Sequence, residues 1–305
     1  MSTTQQSTVQ VDLGGREVAV PQGGLYDRYR MNPDLDEIAR DSRVSGVDFF
    51  RELPKTRVDS AIGETYTPNF YYRMSSARLT MLARSRAIRS RLPAELAPLE
   101  VFPGFGLISV MFFRYDVCDI DFYTEAAVGI AVRPARHGKL GIADLLAGLD
   151  SDRLDSYVLS LPVSTEIARV RGHDGYGFPK WVTGIDFAVD DTRTTGRVLD
   201  GSGATDVALS VATPAQHRYP TGERVSTLTS YTAIRGAWHS TLSQTNVLSA
   251  GSTTMPRDVT LTMGNGRLSE DLRSLAPIKS LRLDVMSEGQ NALHMPVPTS
   301  VPTRA

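Results

Sequence analysis

Residues 106–116 read GLISVMFFRYD and residues 126–132 read AAVGIAV, with aspartates between the two runs. Both are short and dense in Val, Ile and Phe, which is the composition of strands that bury at least one face. The same signal recurs along the chain in SYVLSLPV (156–163), VTGIDFAV (182–189), GRVLD (196–200), DVALSVAT (206–213), DVTLTMG (258–264) and LRLDVMS (281–287), punctuated by Gly, Asp, Asn and Pro. The polar stretch DDTRTT between 182–189 and 196–200 suits a hairpin. No strand–helix alternation runs through the chain, and no Gly-rich phosphate loop follows a strand. The expected fold is therefore α+β and β-rich: a large antiparallel sheet or closed β-barrel around a ligand cavity, with a few flanking helices.

Helices are expected at three places. Asn32-Pro33-Asp34 opens one over residues 33–52. Ser75 or Ser76 caps a second over 75–92, where Met81, Ile88 and Leu92 fall at i, i+7 and i+11 and Pro93 ends the run. IADLLAGL (142–149) reads as a third. The Ser/Thr/Gln-rich start, MSTTQQSTVQ, suggests a mobile segment over residues 1–23. A single domain is expected over 24–295, and the proline-bearing residues 296–305 read as a surface tail. The segment 214–257, rich in Thr, Ser and Arg and holding Tyr231, Trp238 and His239, reads as a loop that could line a pocket.

Composition narrows the function. The chain of 305 residues carries 33 basic and 34 acidic residues, a net charge of −1, so the electrostatic footprint of nucleic-acid or anionic-membrane binding is missing. No apolar leader follows the N-terminus and no run of 18 apolar residues occurs, so a cytoplasmic protein without membrane contact is expected. The lone cysteine, Cys118, excludes an internal disulfide and a cysteine-based zinc site, and it reads as a plain thiol rather than a nucleophile. His137, His173, His217, His239 and His294 are scattered without metal-ligand spacing, so no metal and no cofactor are expected. Only four of the basic residues are lysines: Lys55, Lys139, Lys180 and Lys279. In a chain that otherwise uses arginine for positive charge, a remaining lysine stands out, because arginine cannot be deprotonated and lysine can. Lys55, Lys139 and Lys279 sit in polar or loop contexts where arginine would serve as well.

Lys180 lies in Arg171-Gly172-His173-Asp174-Gly175-Tyr176-Gly177-Phe178-Pro179-Lys180-Trp181. Its apolar neighbours disfavour the ammonium form, and a neutral amine is what attack on a ketone or aldehyde requires. The three glycines permit tight turns that present the side chain at a cavity wall. From these residues alone a second reading also stands, a lysine whose stem rests on aromatics with its head in water.

The stretch from Gly172 to Trp181 resembles the signature of the acetoacetate decarboxylase family. Gly172, Phe178, Pro179 and Lys180 match it in identity and spacing, and Asp174 stands where the family has Glu. Leu161–Ala168 resembles the segment preceding the signature, with Glu166 on a family glutamate. Phe122-Tyr123-Thr124-Glu125 resembles the family's Tyr-x-Glu block, whose glutamate points toward the lysine. Leu92-Pro93-Ala94-Glu95-Leu96 is similar to the motif that closes the family's first helix. The matched blocks run in order across roughly residues 70–190. The chain also departs from the pattern. Trp181 replaces a second lysine, His173-Asp174 replaces an Arg-Glu pair, and a second cavity glutamate, falling near Ser109-Val110, is missing. Either Arg73 or Arg78 stands for a family arginine.

The resemblance implies a lyase that binds a small carbonyl substrate, a keto or β-keto acid or a relative, as a Schiff base on Lys180. It implies Glu125 as general acid/base. Tyr123, Asp174, Trp181, Arg73 and Glu166 would be substrate-binding residues, and the assembly a homo-oligomer. Decarboxylation competes with aldol, dehydration or cyclisation chemistry. A non-catalytic barrel that binds small molecules is the alternative class.

Overall fold

The computed structural model describes residues 7–134 and 153–300. Seven strands form its centre: β1 (Asn69–Arg84), β2 (Phe105–Cys118), β3 (Tyr123–Pro134), β4 (Arg153–Val163), β5 (Val225–Ile234), β6 (Ala237–Thr254) and β7 (Pro277–Leu293). Each pairs with the next in chain order, and β7 returns to β1, so the sheet closes into a barrel. An odd-numbered ring cannot alternate direction at every step. The unavoidable parallel junction lies between β4 and β5, and the connection between those two strands, residues 164–224, carries Lys180.

Alternation sorts the side chains. From β1, Ala77, Leu79, Met81 and Ala83 point outward into a core shared with Val110 and Phe112 of β2 and Val128 and Ile130 of β3. A four-stranded antiparallel sheet covers that face, formed by Ile185–Val189, Arg193–Leu199, Thr205–Ala212 and Val259–Met263. The helix Arg267–Ser274 packs beside it through Leu268 and Leu272. The other face of β1, β2 and β3 looks into the barrel, where a cavity of about 310 Å³ is lined by residues of all seven strands.

Several expectations change here. Residues 75–84, expected to be helical, continue β1, and only Ser85–Arg89 form a short helix. The period-two burial of Ala77, Leu79, Met81 and Ala83 prevails, because the segment is hydrogen-bonded to β7 on one side and β2 on the other. The expected helix over 33–52 is two single turns, Leu35–Ile38 and Asp48–Arg51. The helix expected at 142–149 lies outside the described residues. Within the segment expected to be mobile, Thr8–Asp12 and Glu17–Pro21 form a hairpin. Its Val11, Val18 and Val20 are buried against Ile62, Tyr71 and Ile167, so apolar alternation outweighs the polar composition. In the expected tail, Val297–Pro298 pairs with β6. Residues 214–257 are mostly strand, the β5–β6 hairpin. Among the described residues no helix is long and apolar enough to cross a membrane.

Candidate active site

Backbone geometry delivers Lys180 to the cavity. The helix Glu166–Val170 widens into a π-helical turn over Arg171–Gly175, a distortion that recurs at functional sites. The Gly177 amide then donates to the His173 carbonyl at 3.0 Å and the Phe178 amide to the Gly172 carbonyl at 3.0 Å. Gly177 sits at φ +73, in the left-handed region that a side chain would strain. The chain next runs parallel to β4, with Lys180 beside Leu161. The lysine stem crosses directly over Gly172, where a Cβ would stand 2.4 Å from its Cδ and Cε.

At the end of that stem, Lys180 Nζ donates to Glu125 Oε2 at 2.6 Å. Both side chains are more than nine-tenths buried, at 7% and 8% exposed. The second carboxylate oxygen of Glu125 accepts from the Tyr115 hydroxyl at 3.1 Å. Tyr71 and Tyr123 join hydroxyls at 3.1 Å, and the Tyr71 and Tyr115 rings lie 4.4 Å apart. Burial, reinforced by the charge of Glu125, holds the phenols of Tyr71 and Tyr115 well above their ordinary pKa, so both remain hydroxyl donors. Tyr123 is shifted the same way by burial, with smaller contributions from Tyr71 and Glu125. Phe178, Leu161, Met111 and Phe113 make the surrounding wall apolar.

The other expected site residues scatter. Tyr123 packs behind the pair, its ring centroid 5.7 Å from Lys180 Nζ. Trp181 follows Lys180 on the same strand and faces the outer core, under the Arg267 guanidinium at 4.1 Å, so it does not line the cavity. Asp174 lies 2.9 Å from Arg16 of the N-terminal hairpin. Glu166 is bound by Arg169 on its own helix. Arg73 donates to the Arg43 carbonyl at 2.9 Å, away from the cavity. Of the two candidate arginines, Arg78 lines the cavity; it stands 3.2 Å from Asp284, which Arg282 also contacts at 2.7 Å.

Tyr71, Tyr115 and Asn291 line the cavity but were not singled out in the sequence. The alternation Met111, Phe113, Tyr115 in β2 carried a signal for Tyr115; nothing local marked Tyr71 or Asn291. Lys55 also differs from expectation. It is buried, donates to Asp119 and the Met31 carbonyl, and lies over the Phe70 ring. Asp119 takes two further donors, the Phe70 amide and the Tyr72 hydroxyl, each at 2.7 Å.

The sequence profile described as "Acetoacetate decarboxylase (ADC)" matches residues 59–237, more than half of the chain and all of the segment that builds the Lys180–Glu125 pair. The chain belongs to the acetoacetate decarboxylase family. No curated protein matches it. Among solved structures, the acetoacetate decarboxylase of Legionella pneumophila subsp. pneumophila str. Philadelphia 1 is similar at 12% identity and a TM-score of 0.54, over 76% of this chain and 87% of that one. The enduracididine biosynthesis enzyme MppR, complexed with pyruvate, is similar at 16% identity and a TM-score of 0.53, over 77% and 91%. At these identities the likeness shows the acetoacetate decarboxylase fold. Membership of the family supports an enzyme that binds a small-molecule substrate.

Proposed function

We propose that the protein is a Schiff-base-forming lyase acting on a keto acid, β-keto acid or related carbonyl compound. The observation that carries this reading is the buried Lys180–Glu125 pair, 2.6 Å apart on the cavity wall. The short hydrogen bond gives the lysine proton a path to the carboxylate, which leaves a neutral amine. Its lone pair attacks the substrate carbonyl carbon, and Glu125 returns the proton to the carbinolamine oxygen, which leaves as water. The iminium nitrogen then accepts the electron pair of an α-bond. If that bond joins a carboxylate, CO₂ departs; if it joins a proton, Glu125 takes the proton. The enamine is quenched by a proton at the α-carbon or by a second carbonyl, and water hydrolyses the iminium to free the lysine.

The surrounding residues fit this chemistry. Tyr115 holds the carboxylate in place, and the apolar wall excludes the water that would compete for the proton. Trp181 stands in place of a second lysine, so the amine's setting rests on burial and on Glu125 rather than on a neighbouring cation.

Borohydride reduction tests the proposal. Pyruvate or acetoacetate should leave a reduced adduct on Lys180, detected by mass spectrometry of the digested protein, and Lys180→Arg should leave none. Absence of an adduct with either compound in the native protein refutes covalent chemistry. Thermal protection without an adduct would instead favour a binding barrel. Lysine-dependent release of CO₂ from acetoacetate separates decarboxylation from aldol or dehydration chemistry.

A further inference from the structure

The far wall of the cavity differs from the wall around Lys180. Ser226 of β5, Ser243 and Thr245 of β6 and Asn291 of β7 face it with hydroxyls and an amide. Asn291 is the organised member. Its Oδ1 accepts from Ser243 Oγ at 2.7 Å and from Thr245 Oγ1 at 3.0 Å. With both lone pairs of the carbonyl oxygen taken, the side chain cannot turn, and Nδ2 is the group left for a guest. Asn291 is 6% exposed and lines the cavity. A ligand oxygen in the cavity can accept a hydrogen bond from that amide.

Position ties this donor to the reacting pair. Asn291 is in register with Tyr71 of β1, whose ring contacts that of Tyr115, the donor to Glu125. Leu293, two residues along β7, packs with Phe178 and Leu161 beside Lys180. The group on Asn291 is neutral. Of the arginines that line the cavity, Arg78 and Arg282 meet at Asp284, seven residues away along β7, and Arg224 donates to the Tyr219 hydroxyl at 3.0 Å. A carboxylate is best recognised by such cations; a neutral amide suits a hydroxyl or a carbonyl oxygen.

We infer that Asn291 is a specificity-determining residue that donates a hydrogen bond to a second, uncharged oxygen function of the carbonyl substrate. The substrate is thus a member of the carbonyl class proposed above that carries a further hydroxyl or carbonyl oxygen, rather than a simple alkyl ketone. A cavity of about 310 Å³ has room for such a substituent, since pockets for drug-sized ligands begin at roughly 300 Å³. Asn291 lies on β7, beyond the family-matched segment 59–237. The inference rests on the Schiff-base reading for the placement of the carbonyl at Lys180.

The test measures binding of 2-pentanone and its monomethoxy derivatives, whose ether oxygen accepts but cannot donate, by isothermal titration to the native protein, Asn291→Leu and Asn291→Asp. At least one methoxy derivative should bind about tenfold more tightly than 2-pentanone, the worth of one well-placed hydrogen bond to a buried group. Both variants should lose that preference, with 2-pentanone as the reference ligand. Asn291→Asp is isosteric and still accepts from Ser243 and Thr245, so it preserves the fold if leucine does not. Three results overturn the inference: no preference in the native protein, a preference retained by Asn291→Asp, or equal weakening for every ketone. Borohydride trapping run in parallel reports on Lys180 separately. A missing adduct with the Asn291-dependent preference intact would overturn the Schiff-base reading alone.

Discussion

Replacing Gly172 by alanine separates the geometry of the lysine from the stability of the fold. The new Cβ would stand 2.4 Å from Lys180 Cδ and Cε and 3.0 Å from Nζ. Ordinary carbon contacts begin near 3.4 Å, so the lysine tail must give by about 1 Å. The bond to Glu125, 2.6 Å in the native protein, then stretches to roughly 3.6 Å, outside hydrogen-bond range. A reacting group misplaced by about 1 Å costs on the order of 10²-fold in rate. The three nearest atoms are all side-chain atoms of Lys180. Alanine also gains about 1 kcal/mol over glycine in a helical segment. The melting temperature should therefore stay within about 4 °C of the native value while the catalytic geometry is lost. The assay is the initial rate of borohydride-dependent adduct formation at Lys180 with subsaturating pyruvate, alongside thermal unfolding. A native adduct rate in Gly172→Ala would refute the argument that this glycine positions the amine. A fall of more than about 10 °C would refute the argument that the lysine, rather than the backbone, absorbs the clash.

Two further predictions concern groups away from substrate or shared with it. Asp119→Asn should destabilise the protein by about 3–5 kcal/mol in urea unfolding, because it strands the buried ammonium of Lys55; a change below about 1 kcal/mol would show that the pair is not desolvated. Tyr71, Tyr115 and Tyr123 are held above the ordinary phenol value of 10.0 chiefly by burial. The unfolded chain releases these protons near pH 10 while the native chain keeps them, so their contribution to stability is complete below about pH 10 and declines as pH rises above it. Denaturant midpoints and phenolate absorbance measured across that range check the sign. Reversible ionisation of every tyrosine near pH 10 in the folded protein would contradict it.

Local pattern was a good guide where one face of a strand is apolar. The runs at 106–116 and 126–132 alternate between core and cavity, the run at 206–213 turns every second residue to the outer core, and all three are strands. Pattern failed where the barrel interior is polar. In β5 and β6 the lumen-facing residues include Ser226, Ser243 and Thr245, so the alternation of apolar with polar side chains is erased and the segment resembles a loop. It failed again in β1, where Met81 on the strand and Ile88 on the following helix together imitate a helical stripe. Long-range pairing with β2 and β7 supplies the hydrogen bonds that decide the matter.

The sequence by itself determined that the chain is β-rich, singled out Lys180 and Glu125, and carried the family resemblance, because each depends on residue types in a short window. Only the tertiary structure decided which side chains share the cavity. Trp181, Asp174, Glu166 and Arg73 leave it; Tyr71, Tyr115 and Asn291 enter it. Barrel closure brings β7 beside β1 across some two hundred residues of chain, and that register is set by pairing between distant strands rather than by any local preference.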